Sequence, residues 1–366
     1  MSEPTSAEAS APSTSRRAQQ PMIGRRGLFT FDRFAAGVAR SAAAIILVLL
    51  IALIIVLVYA AWPSISEFGW RFLIESEWRS NELPVPIRDD AGNIVVDEAG
   101  EQQYRMEPPV FGALPVIYGT AVSSLIALVI AVPLSFGTAL FLVRSCPKRL
   151  SVPISFLVEF LAAIPSIAYG MWGLFILAPF LQEHVEPGIR SLVGWIPFVN
   201  QWLFYDEGRE IPLTGRDMFC AGLVLAIMIL PIITAVSRDV LKTVPRAQIE
   251  GTQALGATWW QSSWEMLRYS RSALFGAVML GLGRAAGETM AVTMVIGNAN
   301  KINESLFAPA QTMSSLLANE FAEASSQLHR AALTEVALIL LVMSLLFSLV
   351  ARWLVVGGDS KTSAAH

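Results

Sequence analysis

Six stretches of this chain are each long and apolar enough to cross a bilayer as a helix: residues 38–62, 117–143, 152–181, 218–236, 273–297 and 331–355. The hydrocarbon core is about 30 Å thick and takes roughly 20 residues of helix. Inside it no water meets a bare N–H or C=O, so a spanning segment must satisfy its own backbone. The expected fold is an all-α membrane protein with six transmembrane helices. Composition agrees: 54% of the 366 residues are hydrophobic and 15% are charged, where a soluble domain carries about a quarter charged residues. The net charge of -3 is unremarkable and nothing suggests nucleic-acid binding; the expected partner of so apolar a chain is membrane lipid.

Lys and Arg collect on one side of such a bundle. Arg144, Lys148 and Arg149 follow the second stretch, and Arg238, Lys242, Arg246, Arg268 and Arg271 follow the fourth. Cytoplasmic loops carry this excess, which predicts an N-in, C-in topology. The segments are then a disordered cytoplasmic tail at 1–36, a first transmembrane helix at 37–62, an extracytoplasmic segment at 63–115, a five-helix core at 116–357 and a cytoplasmic tail at 358–366. The first apolar run starts too late, and is too long, for a cleaved secretory signal. In the outer segment, residues 88–106 (RDDAGNIVVDEAGEQQYRM) read as a small hairpin with a β-type run at Ile94–Val96. Residues 194–204 (GWIPFVNQWLF) have the aromatic content of an interfacial segment.

Little in the chain suggests catalysis. Cys146 and Cys220 have no metal or disulfide spacing, and the three histidines are scattered. No G-x-x-x-x-G-K-[ST] occurs, so the chain binds no ATP through a P-loop. It is expected to be a transporter subunit, not an enzyme, with no cofactor of its own. A self-contained ion-coupled carrier would show internal repeats, and none is evident.

Ionisable residues at membrane depth are costly and mark functional sites by default. The fifth stretch carries Arg284 and Glu288, four apart and so on one face of a continuous helix. They are either a self-neutralising pair inside the bundle or a positive charge on an anion path with a carboxylate to temper it. Arg suits tetrahedral oxyanions because its fork of donors matches their oxygens. Glu159 in the third stretch either pairs with Arg284 across helices or with a partner chain, or lies solvated near the cytoplasmic headgroups. Pro165 kinks or ends a segment there. Ser166 and Tyr169 after it offer hydroxyls to a passing anion, or bond within their own helix.

The loop after the fourth stretch reads as two short helices. One covers Arg246 to Gln253, Gly256 breaks it, and a second follows from Thr258. Gly256 permits a positive φ at the break. This loop resembles the EAA loop of ABC importer permeases, with Glu250 and Gly256 at the Glu and Gly positions. Gly251 and Thr252 replace the two alanines, and Arg268 replaces the closing proline. Three further strings resemble the PstC-type permease of the phosphate-specific ABC importer: FGALPVIYGT (111–120), EFLAAIPSIAYGMWG (159–173) and MLGLGRAAGETMAVTMVIGN (279–298).

That resemblance implies a type I ABC importer permease fold and import of inorganic phosphate by alternating access. It implies a PstA-type sister permease, an ATPase subunit dimer that binds the ATP, and an extracytoplasmic phosphate-binding protein. Arg284 and Glu288 fall on the motif's charged positions, and Glu250, Gly251 and Gly256 fall on the ATPase-coupling loop. A permease of the same architecture for sulfate or molybdate is the alternative.

Overall fold

The computed structural model describes residues 25–86, 104–206 and 209–362. The expected tail before residue 25 and the β-run at Ile94–Val96 lie outside the described residues. The chain divides into two compact units, Met1–Ile55 and Val56–His366. Helix α1 (Arg25–Phe68) starts in the first and ends in the second. Residues 41–62 carry no charged side chain, so α1 is apolar all round, as a lipid-embedded helix is.

The second unit is built on α2 (Leu114–Leu140), α3 (Lys148–Ala162) and α4 (Ser166–Val193), the last interrupted by π turns at Gly173–Leu177 and Leu181–Val185. Next come α5 (Pro197–Phe204), the central α6 (Met218–Lys242), and the short α7 (Arg246–Ala254) and α8 (Trp259–Tyr269). Helices α9 (Arg271–Ala286), α10 (Met290–Val295), α11 (Met313–Glu320) and α12 (Gln327–Thr362) complete it. Val224, Leu225, Ile229 and Ile233 of α6 form the core with Ala127 and Ala131 of α2, Ala277 and Ala285 of α9, and Val292 and Val295 of α10. Small residues set the spacing. A Cβ on Gly222 would lie 2.4 Å from Ile126 of α2, and one on Gly281 would lie 2.6 Å from Ile233. Close approach of this kind is how helices associate where lipid removes the hydrophobic drive.

A second cluster gathers Phe72, Trp78, Phe111, Met313, Leu316 and Leu333. There Trp78 Nε1 and His329 Nε2 both reach Glu320 Oε2, at 2.8 and 3.0 Å. Beside it, β1 (Leu83–Pro86) pairs antiparallel with β2 (Tyr104–Glu107), with Leu83 opposite Glu107 and Pro86 opposite Tyr104.

Two of the six expected spans are broken. Among the described residues, four helical stretches are each long and apolar enough to cross a membrane, and a fifth crossing exists only if α3 and α4, bent by 87°, count as one. That bend falls at residues 163–165, where Pro165 has no N–H to donate and disfavours helix at Ile164. The expected fifth span, 273–297, is split at residues 287–289 into α9 and α10. Gly287 is a poor helix former, and Glu288 turns its carboxylate onto the N–H of Ala291 (3.4 Å), capping α10 instead of prolonging α9.

Candidate functional site

Arg284 lies in the last turn of α9, about 20 Å along the helix from Arg271 at 1.5 Å per residue. It lines a cavity of about 630 Å³ with Ile232 of α6, Gly276, Met279, Leu280 and Gly283 of α9, and Ser348 and Arg352 of α12. A Cβ on Gly276 or Gly283 would meet nothing within 4 Å, so the wall beside Arg284 is open space. Arg284 has no ion-pair partner among the described residues.

The expected pairing with Glu288 on one helix face is corrected by the break. Glu288 sits between α9 and α10, half-buried, and its backbone carbonyl accepts from Ser314 Oγ of α11 at 2.6 Å. The i, i+4 rule holds only along an unbroken helix. Glu159 is corrected likewise. Its carboxylate pairs with Arg238 of α6 at 2.9 Å, and Arg238 also holds Asp239 at 2.9 Å, so neither Arg284 nor its cavity engages Glu159.

Ser166 and Tyr169 flank the other break. The Tyr169 hydroxyl donates to the carbonyl of Leu161 (2.8 Å), clasping α3 to α4 across the bend. Ser166, half-buried in the first turn of α4, makes no hydrogen bond among the described residues. Helix α4 crosses α10 so closely that a Cβ on Gly170 would lie 2.9 Å from Ala291 Cα and from Met294 Sδ. The helices that follow the two breaks are therefore packed against one another. Irregular backbone at membrane depth is tolerated only inside protein or along a water-filled cavity, and discontinuous helices are where transporters build ion sites.

Helices α7 and α8 form a second site. Gly256 between them has φ +85°, which a residue with a Cβ rarely adopts. Thr258 caps α8 reciprocally: it accepts from the Gln261 N–H at 3.3 Å while its own N–H donates to Gln261 Oε1 at 2.8 Å. Glu250 and Gly251 are exposed on α7. Glu250 makes no hydrogen bond among the described residues, so it does not anchor the loop within this chain. Around the turn stand Leu255, which is 91% exposed, and the exposed rings of Trp259, Trp260 and Trp264. That is too much apolar surface to leave facing water.

Sequence reasoning missed three residues. Arg144, counted only as a loop charge, donates to Ser263 Oγ (2.8 Å) and Ser262 Oγ (3.0 Å) and lies 5.3 Å over the Trp259 ring, tying α8 to the end of α2. Arg352 joins Arg284 on one cavity wall, and nothing in a linear sequence brings the two together. Asp217 caps α6 through the Cys220 N–H (2.8 Å) while buried beside the fully buried Glu186. Burial, with the neighbouring Glu186 charge, pushes the Asp217 carboxyl up to about 8.

Comparison with known proteins places this geometry. The model of a family described as binding-protein-dependent transport system inner membrane component matches residues 131–357, more than half the chain. The phosphate transport system permease protein PstC of Mesorhizobium japonicum is 43% identical over 326 residues, covering 89% of this chain and 90% of that protein. The proteins of the same name from Pasteurella multocida and Haemophilus influenzae are each 42% identical, covering 86% of this chain and 89% of theirs. A solved chain of the MetNI methionine ABC transporter, in an inward-facing conformation, aligns at 18% identity over 67% of this chain and 94% of its own, with a TM-score of 0.44, too loose to carry an argument. The chain belongs to the inner membrane components of binding-protein-dependent transport systems, and within them to the PstC permeases.

Proposed function

We propose that this chain is the permease subunit of an ATP-driven importer that moves inorganic phosphate into the cell by alternating access. The observation that carries the reading is Arg284, a guanidinium without an ion-pair partner among the described residues, on an open cavity next to the α9–α10 break. A guanidinium attracts an oxyanion through paired N–H donors. A passage must hold its ion weakly enough to release it, and an exposed Arg284 suits that better than a closed cage. Glu288, held by Ser314, adds a carboxylate at the break that repels the anion onward.

The energy comes from outside the chain. ATP is bound by a partner ATPase dimer, which takes the apolar turn around Leu255, Trp259 and Trp260, with Glu250, Gly251 and Gly256 at the contact. A PstA-type sister permease completes the passage, and an extracytoplasmic phosphate-binding protein delivers the ion on the outer side of the bundle. In this arrangement the basic loops and both termini are cytoplasmic.

The test is uptake of labelled phosphate, sulfate and molybdate by proteoliposomes holding the whole complex, with Arg284→Gln and Arg284→Lys beside the parent. Phosphate uptake alone, abolished by Arg284→Gln in a complex that still assembles and partly kept by Arg284→Lys, is the expected result. Uptake surviving Arg284→Gln makes Arg284 a packing residue. Uptake of sulfate or molybdate in place of phosphate overturns the substrate.

A further inference from the structure

A second cavity of about 590 Å³ lies on the other side of α9 from Arg284, in a groove that α9 shares with α2. Its floor is apolar: Val132 and Phe136 come from α2, Phe275 and Val278 from α9. Its mouth carries two guanidiniums, Arg268 at the end of α8 and Arg271 at the start of α9. Both are exposed, neither has an ion-pair partner among the described residues, and no carboxylate lines the groove. Trp264 stands at the same rim, 60% exposed. From Arg271 to Val278 the floor runs about 10 Å along the helix at 1.5 Å per residue, enough for part of an acyl chain.

We propose that this groove binds an anionic glycerophospholipid of the leaflet that faces the basic loops. Charge complementarity selects the occupant. Two unpaired positive charges above an apolar slot match a phosphate headgroup with attached tails, whereas a zwitterionic lipid would bring a cation to the same mouth. Basic pockets between transmembrane helices on the cytoplasmic side take headgroups of this kind, and Trp is the side chain that settles at headgroup depth. The lipid would wedge α8 against α2 and α9, where the coupling helices join the bundle. The inference stands whichever oxyanion the complex carries, because it uses neither Arg284 nor its cavity.

The experiment extracts the whole complex with its native lipid in polymer nanodiscs and measures retained headgroups by mass spectrometry after exchange into phosphatidylcholine. The parent should keep phosphatidylglycerol or cardiolipin. The Arg268→Gln/Arg271→Gln variant should lose it by about 30-fold in affinity, from roughly 1 kcal/mol per basic side chain at an anionic surface. Val278→Trp, which fills the slot and leaves the charges alone, should lose it too and serves if the double variant does not assemble. Arg149→Gln should change nothing. Equal retention in the parent and in Val278→Trp overturns the proposal. So does equal retention of phosphatidylethanolamine and phosphatidylglycerol by the parent. A photo-crosslinker at Phe275 that labels the sister permease or the ATPase instead of lipid also overturns it, since the groove is then a protein interface.

Discussion

Gly119→Ala should destabilise the bundle at the point that fixes the α9–α10 break. An added Cβ at Gly119 would lie 2.2 Å from the carbonyl oxygen of Gln311 and 3.0 Å from its carbon. To restore ordinary contact, residue 311 must retreat by about 1 Å. It cannot retreat freely. The next residue on α2, Thr120, accepts from the Met313 N–H at 2.9 Å, and Ser314 beyond holds the Glu288 carbonyl at 2.6 Å. Overpacking of this kind costs about 1–3 kcal/mol, which is roughly 5- to 150-fold in the folding equilibrium. The assay is thermal unfolding of the purified complex followed by a thiol-reactive dye. Cys220 is buried and reports the core, and Cys146→Ser silences the partly exposed thiol. Gly137→Ala on the same helix is the control: its Cβ would meet nothing within 4 Å, so it should be neutral or gain up to about 1 kcal/mol of helix propensity. The unfolding temperature should fall for Gly119→Ala and hold for Gly137→Ala. If both variants melt with the parent, the α2 contact is not tight and does not position the break.

Asp217 gives a pH dependence. The unfolded chain ionises it near 3.8, while in the folded protein it keeps its proton up to about 8. The folded state therefore binds more protons across that window, and its stability falls as pH rises from about 4 to 8. Asp217→Asn, still able to accept from the Cys220 N–H, should flatten that part of the stability profile; an unchanged slope would assign it to other groups. Glu159→Gln should leave phosphate uptake within about twofold of the parent and cost at most about 1 kcal/mol of stability, because the Arg238–Glu159 pair is half open to solvent on the Glu side. Abolished uptake in that variant would return Glu159 to the ion path. Arg144→Ala removes the hold on Ser262, Ser263 and Trp259, so ATP hydrolysis should persist while uptake per ATP falls. Coupling at the parent's ratio would make Arg144 merely a surface charge.

What the sequence shows and what it hides divide along the reach of the interactions. The spans are visible because a run of apolar residues is a local property, although only four of the six expected crossings are single unbroken helices. The α7–α8 turn is visible for the same reason: Gly256, Thr258 and Gln261 act within six residues of one another, and the structure realises the left-handed glycine and the reciprocal cap. The α9–α10 break is only partly local: Gly287 and the Glu288 carboxylate on the Ala291 N–H lie within it, but a hold from another helix is added to them. Read along the chain, Arg284 and Glu288 meet every condition for an i, i+4 pair. What cancels it is Ser314, 26 residues downstream, holding the Glu288 carbonyl in an unwound turn. The partner of Glu159 lies far away on α6, and Arg352 reaches the cavity of Arg284 only because α12 packs along α9. A break held from another helix also makes functional sense. If residues 287–289 were unwound by their own sequence alone, nothing distant could rewind them. Because α11 and α2 hold them open, a shift of α2 against α11 changes where Glu288 points. Thr120→Val therefore leaves the Met313 N–H unpartnered at about 1–3 kcal/mol, and it should alter phosphate uptake as well as stability. If it lowers the melting temperature and leaves uptake untouched, the break is static and the passage is gated elsewhere.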